Sequence, residues 1–567
     1  MTKSRLNLRD PKGRPWFGQV FLAGNPPFLM VLLAAVPATG ILLLLFYLGM
    51  RAAGAGLPEF WAIISQPRTL EVLLNSIGMT VAITLLSALI AIPLAFLTVR
   101  TDLPWRRFWL VVTTLPLAIP TYVGSFALIA AVGPRGSILQ MLLQPLGVER
   151  LPSIYGWPGV ILAIGLFTYP YLLLSVRAGL QGMDPSMEES ARVLGYGSRA
   201  TFLKVTLPQL RPSIAAGSLL VALYALQDFG TPGLMRFNSF TRAIFIQYRA
   251  SFNRNTAAAL ALVLVVLVLG ILFLEYWARS RAVYYSRGSA VPREQTLIPL
   301  GRWKWPAVVF CALIASISFA MPIGVIAFWL IRGLIYGGAS DRLLSTLLPI
   351  IWNSVYAAGL AALIAIIFAL PVAILSVRFP SRLSTLLERC SYLGFGMPGI
   401  VVALTLVFFG ANFAPWLYQK LPMMLFAYLV LFLPQAIGTI RSSLLQVNPS
   451  LEESARVLGR SPWQTLQEVT LPLVRPGIIS GGMLIFLTAM KELPATLLLA
   501  PIGFRTLATQ IWQATAEDAA FANAAAAALA ILAVSTLSTL IILSQERILP
   551  RPNLSSSRND STSIIDS

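Results

Sequence analysis

Histidine is absent from the 567-residue sequence, which removes the commonest transition-metal ligand and the usual proton shuttle near neutral pH. Only two cysteines occur, Cys311 and Cys390, both in or beside apolar stretches. Neither a disulfide framework nor a cysteine-built metal site is therefore available. Charge is scarce as well, at 11% of residues against about 25% in a soluble domain. The 22 acids form no dense cluster of the kind that acid–base or metal-assisted catalysis needs. No G-x-x-x-x-G-K-[ST] stretch is present, so the chain lacks a phosphate-cradling loop with which to grip ATP. These absences argue against an enzyme.

Apolar residues are abundant instead, at 57%, with a mean hydropathy of +0.76. A helical span needs about 20 apolar residues, whereas a closed barrel shows only weak ten-residue alternation. The long Leu/Ala/Val/Ile runs therefore predict an all-α polytopic membrane protein. Apolar runs lie near 28–50, 73–99, 108–132, 157–178, 212–235 and 257–278, and again near 306–335, 350–377, 388–414, 421–440, 476–500 and 520–544. This gives about twelve transmembrane helices in two sets of six. The expected organisation is a first repeat over 1–278, a cytoplasmic linker over 279–305 rich in arginine and broken by Gly288, Pro292 and Pro299, a second repeat over 306–547, and a disordered tail over 548–567. The basic start MTKSRLNLRDPKGRPW has no small-residue cleavage site before the first run, which reads as a retained span.

One segment occurs twice. It reads MEESARVLGYGSRATFLKVTLPQLRPSIAAG from Met187 and LEESARVLGRSPWQTLQEVTLPLVRPGIISG from Leu451, an offset of 264. Asn75-Ser76, Pro93, Arg100 and Pro120 match Asn353-Ser354, Pro371, Arg378 and Pro398 at an offset of 278, while Pro170 and Arg177 match Pro434 and Arg441 at 264. The first half thus carries 14 additional residues, placed in the Gly133–Gly156 loop. Six spans separate the two copies, and an even number returns the chain to the same side, so the repeats are parallel. The net charge of +20 is read as topological, with no nucleic-acid partner. Arg100, Arg106 and Arg107 after span two, and Arg279, Arg281 and Arg287 after span six, put both termini in the cytoplasm. The segment 236–254, with Arg236, Arg242, Arg249 and Arg254 and no acid, falls outside in this topology and runs against the rule.

Within each copy, Asp184-Pro185-Ser186 or Asn448-Pro449-Ser450 is a good helix start. Glu188 and Arg192, like Glu452 and Arg456, are four apart, which suits an exposed ion-paired turn. Gly195 and Gly459 then end the helix, and a second short piece runs through Val205 or Val469 into Leu207-Pro208 or Leu471-Pro472. These residues resemble the signature of the inner-membrane permeases of bacterial ATP-driven (ABC) importers that work with a substrate-binding protein. That signature is Glu-Ala-Ala, three residues, Gly, nine residues, an aliphatic residue, one residue and Leu-Pro. The matches are Glu189-Ser190-Ala191, Gly195, Val205 and Leu207-Pro208, and Glu453-Ser454-Ala455, Gly459, Val469 and Leu471-Pro472, with Ser in place of the first Ala both times. The resemblance implies the ABC importer permease fold and a location in the bacterial inner membrane. It also implies coupling to two copies of an ATPase subunit that hold ATP and Mg, no cofactor on this chain, and cargo delivered by an external binding protein. Glu188, Glu189, Ala191, Gly195, Leu207 and Pro208, with Glu452, Glu453, Ala455, Gly459, Leu471 and Pro472, are the expected coupling residues.

After each loop comes a span bearing an acid at a matched position, Asp228 and Glu492. An ionisable group within a span marks a functional site by default, and these two are the candidates for a translocation pathway. Lys491 beside Glu492 offers a second reading, in which the two neutralise one another at a helix break with Pro494. The segments TLPLAIPTYVGSFAL from Thr114, QDFGTPG from Gln227 and MKELPATLLLAPIGFRTLATQIW from Met490 look like the ferric-iron branch of these permeases. Thiamine, sulfate, polyamine and phosphonate permeases share parts of them, so those cargoes stay open, as does an ion-driven secondary transporter. Hard carboxylate oxygens suit Fe3+, whereas the basic outer loop favours an anion or a ligand-bound cation. No resident metal site is assigned. Tyr122, Tyr169, Tyr171 and Tyr224 are either phenolate donors or interfacial anchors. Pro93, Pro371, Pro120 and Pro398 are expected flexing points.

Overall fold

In the computed structural model the described residues are 27–53, 57–183, 186–249, 254–281, 297–336, 340–517 and 520–548. The basic start, Asp184-Pro185, most of the linker and the tail beyond Ile548 lie outside them. Among the described residues the structure is helical, with one isolated backbone bridge between Thr101 and Ile298. Helix is forced by solvent, because in hydrocarbon each backbone amide and carbonyl must be satisfied within its own segment.

Ten helices are long and apolar enough to cross a membrane: Phe28–Arg51, Pro67–Arg100, Trp157–Gly182, Phe202–Gln227, Asn255–Leu274, Gly301–Ile335, Ser345–Arg378, Leu421–Gln446, Pro462–Met490 and Phe521–Ser538. The third and ninth expected spans differ. Each is a pair of shorter helices, Arg106–Ala118 with Thr121–Val132 bent by 98°, and Arg382–Gly396 with Gly399–Phe413 bent by 106°. The cause is local. A residue before proline is pushed to extended backbone, as are Ile119 (φ −85°, ψ 120°) and Met397 (φ −93°, ψ 121°). Pro120 and Pro398 then cap a new helix in a new direction. Pro93 and Pro371, by contrast, lie inside continuous helices. Of these four prolines only Pro120 and Pro398 break a span.

Whether a bent pair crosses follows from what its flanks touch. The end of span two meets the loop after span four through Arg100 and Glu188. The start of span four meets the segment after span five, where the Gly156 amide donates to the Met235 carbonyl at 2.8 Å. The chain between must change sides, so each bent pair is one crossing and the total is twelve.

The halves interlock. Span one packs on span eight and on both parts of span nine, while span seven packs on both parts of span three. Spans five and eleven each pack on the second, fourth and sixth helices of their own half. Small residues permit that approach, since without a hydrophobic drive between helices in lipid, close van der Waals contact carries association. A Cβ on Gly217 would fall 2.6 Å from Leu172, and one on the matched Gly481 would fall 2.4 Å from Thr439.

Candidate functional site

The repeated loops form two short helices, Ser186–Val193 and Pro449–Val457. Asn448 starts the second by accepting the Ser450 amide at 3.1 Å. Gly195 and Gly459 both take φ of +85°, the left-handed value that glycine adopts without strain. The next amides, of Tyr196 and Arg460, reach back to Ala191 and Ala455 at 3.0 and 3.1 Å, closing each helix in a Schellman turn. Ala191 and Ala455 are buried beneath the helices, and Glu189 and Glu453 are exposed.

The first glutamate of each pair is not the surface residue that its spacing suggests. Glu188 and Glu452 are buried, and their partners lie at the end of the second helix of each half. Arg100 Nη2 meets Glu188 Oε1 at 2.6 Å. Arg378 forms a fork on Glu452, with Nε to Oε2 at 3.0 Å and Nη2 to Oε1 at 3.1 Å, and its Nη2 also donates to the Val447 carbonyl at 3.2 Å. In the sequence Arg100 stands as an orienting charge and Arg378 only as its matched position. Their matched positions were the signal of a partner in the repeated loop.

Each buried carboxylate also accepts from the start of the following span, from Thr206 at 2.7 Å and from Thr470 at 3.0 Å. These threonines end matched π-helical turns, Phe202–Thr206 and Leu466–Thr470, a geometry that recurs at functional sites. The expected separate second helix is thus only the turn Ser198–Thr201 or Pro462–Thr465, continuous with the span. Leu207-Pro208 and Leu471-Pro472 form the first turn of the α-helix that follows. One carboxylate in each half therefore ties the loop helix to two spans. The outer face of the loop is apolar and open. Val193 and Leu194 are 88% and 77% exposed, and Val457 and Leu458 are 87% and 82% exposed.

The matched acids lie at helix breaks. Span five stops at Gln227, Asp228 is extended, and a five-residue helix runs Gly230–Leu234. Span eleven stops at Met490, and Pro494–Leu499 follows. Each acid caps its short helix, Asp228 Oδ1 accepting the Thr231 amide at 3.3 Å and Glu492 Oε1 the Ala495 amide at 3.2 Å. Lys491 does not neutralise Glu492. Its Nζ reaches across to the other half and donates to the Ala118 carbonyl at 2.8 Å, beside the bend of span three.

The two breaks meet at the seam between the halves, where a Cβ on Gly230 would fall 2.7 Å from Tyr122 Cβ and 3.3 Å from Leu493 Cδ2. Asp228, Lys491 and Glu492 are each partly exposed at this seam. About one turn nearer the loops, Tyr171 and Tyr224 stack with centroids 4.4 Å apart, and their counterparts Gln435 and Thr488 hydrogen-bond at 3.2 Å. Tyr224 is 40% exposed. In the basic segment that begins at Arg236, Arg236 lies over Tyr155 and Arg249 over Phe245.

The profile of the binding-protein-dependent transport system inner membrane component family matches twice, over residues 87–281 and 361–553. The chain belongs to this family, in double length. The chain is 34% identical over 501 residues to the Fe(3+)-transport system permease protein FbpB 2 of Haemophilus influenzae, covering 88% of this chain and 95% of that one. It is 25% identical over 496 residues to the ferric transport system permease protein FbpB of Actinobacillus pleuropneumoniae, covering 84% and 71%. The molybdenum transport system permease protein ModB of Escherichia coli is 28% identical over 232 residues, 99% of its own length and 39% of this chain. A relative of single length therefore aligns to less than half of this one. The family fold agrees with the two six-crossing repeats and two matched loops of this multi-pass chain, a transporter subunit of the inner-membrane type.

Proposed function

We propose that one copy of this chain forms the whole translocation pathway for ferric iron in an ATP-driven importer. An external binding protein supplies the ion, and two ATPase subunits holding ATP and Mg dock on the two loops from the cytoplasm, where both termini also lie. The observation that carries this is the buried Glu188–Arg100 and Glu452–Arg378 contact, with Thr206 and Thr470 on the same carboxylates. A push on the exposed apolar tip of either loop helix passes through that carboxylate to the second and fifth helices of the half. The fifth helix ends at the pathway acid. ATPase closure is thereby converted into displacement of the breaks bearing Asp228 and Glu492, with the bends at Pro120 and Pro398 as adjacent joints.

Glu188, Ala191, Gly195, Leu207 and Pro208, with Glu452, Ala455, Gly459, Leu471 and Pro472, hold the lever in shape. Glu189 and Glu453 are on its exposed side for the ATPase. The iron assignment rests on the ferric relatives along nearly the whole chain and on hard carboxylate donors without soft or imidazole ligands. Affinity and selection belong to the binding protein, because a passage site must release what it receives. Uptake of radioactive ferric ion by cells with and without the chain, in competition with thiamine, sulfate and molybdate, tests the reading. Loss of ferric uptake on deletion is expected. Intact ferric uptake alongside loss of another solute overturns the cargo, and transport that survives ATP depletion overturns the coupling.

A further inference from the structure

Span one ends on a charge that has no counter-ion among the described residues. Phe28–Arg51 runs away from the repeated loops, since the next span returns to them at Arg100, so Arg51 lies on the opposite side of the membrane. Its side chain makes no hydrogen bond or ion pair among the described residues, and its Nε is buried. A guanidinium stays charged and offers five N–H donors. Held at a membrane boundary with none of them used, it calls for an explanation.

Arg51 opens onto a cavity of about 440 Å³, lined also by Tyr47, Met50, Asn255, Asn412 and Phe413. Sites for small ligands usually occupy about 300–1,000 Å³. Three segments meet there and pack on one another pairwise: span one, the start of span six, and the end of the second part of span nine. The cavity therefore lies between the halves. One carbonyl fixes its floor. Phe408 accepts from Asn412 Nδ2 at 2.7 Å and from the Tyr47 hydroxyl at 3.3 Å, and the Arg51 guanidinium lies over the Phe408 ring, 5.3 Å from its centroid. Tyr47 is wedged edge-on against Phe409 and Phe413, with centroids 5.9 and 5.7 Å away. Among the described residues these contacts leave the Arg51 donors, the Asn255 amide and Asn412 Oδ1 uncommitted, and no lining residue is acidic.

An apolar track leaves the cavity. Leu42, Phe46 and Met50 follow at spacings of four along one face of span one, and all three are exposed, as is Phe413. A free anion has no use for such a track, whereas an amphiphile does. We propose that this cavity binds the headgroup of an anionic phosphodiester lipid bearing hydroxyl groups, of the phosphatidylglycerol type, with an acyl chain along Leu42, Phe46 and Met50. The phosphodiester oxygens accept from Arg51 and Asn255, with charge assistance at Arg51, and a headgroup hydroxyl donates to Asn412 Oδ1. A zwitterionic headgroup brings an ammonium against Arg51 and is disfavoured. The bound lipid joins Arg51 and Asn255 of the first half to Asn412 of the second, at the far end of the helix that starts from the Pro398 bend.

The test uses the full-length chain, delipidated in detergent, with native mass spectrometry of the lipid it retains. The probes are phosphatidylglycerol, phosphatidylcholine, inorganic phosphate and glycerol 3-phosphate. Wild type is expected to hold one phosphatidylglycerol in preference to phosphatidylcholine, and neither free phosphate compound should displace it. Arg51→Gln should lower that retention about tenfold, as loss of a charge-assisted contact predicts, with phosphatidylcholine binding unchanged. Asn255→Asp and Asn412→Asp put a carboxylate into the cavity from other helices and should lower it as well, so the result does not depend on the folding of one variant. Equal retention of the two lipids by wild type, or unchanged phosphatidylglycerol in Arg51→Gln and Asn255→Asp, overturns the site. Displacement by inorganic phosphate assigns the cavity to a free anion. Lipid retention by Arg51→Gln with loss of affinity for the external binding protein assigns it to a protein contact. Either result overturns the lipid.

Discussion

The two halves have kept one arrangement at their repeated loops and diverged at their centre. In both, a buried glutamate of the loop helix meets an arginine from the second helix and a threonine from the fifth. The second copy is the better made. Arg378 forks onto Glu452 and also reaches Val447, whereas among the described residues the Arg100 side chain makes one contact and its Nε is buried without a partner. At the seam, Gln227 and Lys491 are counterparts, as are Tyr122 and Ile400. Duplication with fusion therefore lets the loop contacts stay twofold while the seam becomes asymmetric. Among the described residues one element has no counterpart. Ile298 bridges Arg100 and Asp102 through two backbone hydrogen bonds, and Asp102 accepts the Leu300 amide at 2.8 Å and pairs with Lys304 at 2.9 Å. The position matched to Asp102 is Pro380, which has no side-chain acceptor.

The largest effect is expected at the buried ion pairs. Removing one member of such a pair typically destabilises by about 3–5 kcal/mol because the other charge is left uncompensated. Glu452→Ala should abolish uptake and ATPase retention, and Glu188→Ala should retain more of both, measured as ferric uptake and as ATPase recovered with the purified chain. Equal loss in the two variants would mean that the fork on Glu452 adds nothing. Next in size come the exposed tips. Val193→Asp or Val457→Asp alone should lower ATPase affinity about tenfold, equivalent to about 1.4 kcal/mol, and the two together should leave the chain folded but without ATPase.

A smaller change is expected at the cross-half contact. Lys491→Gln copies the first half's residue and removes a charge-assisted hydrogen bond to Ala118. Loosening the seam by about 1 kcal/mol should raise ATP hydrolysis in the absence of binding protein about fivefold. An unchanged basal rate would make that contact incidental.

The smallest effect belongs to the strap at Asp102. The Leu300 amide first, and then Lys304, hold the Asp102 carboxyl below its ordinary range. For an acid depressed by folding, the contribution is present above the unfolded-state value and is lost as pH falls through the lowered folded-state value. Protection of the Leu300 amide, taken relative to its intrinsic exchange rate at each pH, should therefore fall with acid, and Asp102→Asn should lower it already at neutral pH. Insensitivity of that amide to the substitution would remove the strap from consideration.

Much of the fold could be read from apolar runs, because span length is set by the bilayer and duplication fixed the parity. The bends could not, since composition is the same on both sides of Pro120 and Pro398. A proline within an apolar run is compatible with either outcome, and Pro93 and Pro371 show the other one. The spans expected at 212–235 and 476–500 run through the breaks at Asp228 and Glu492 for the same reason. At the loops, spacing of four between Glu188 and Arg192 favoured a local surface pair, but a tertiary partner won. Arg100 can satisfy the carboxylate where water is excluded, and a contact across 88 residues leaves no periodic trace. Arg51 carries no signal in the sequence, because a cation without a counter-ion is a property of the folded chain.

The interlocking of first spans has a consequence for how the protein is made. Phe28–Arg51 is finished long before its partner, since the helix that ends at Arg378 begins roughly 290 residues later. At about 5–20 residues per second of synthesis, it waits on the order of 15–60 s in the bilayer with most of its final neighbours missing. Its mean hydropathy of 2.6, with only 28% of its most apolar stretch buried even in the finished fold, suits a helix that must be content in lipid alone. Insertion is thereby separated from assembly, and the second half is clasped by a segment already in place when it arrives.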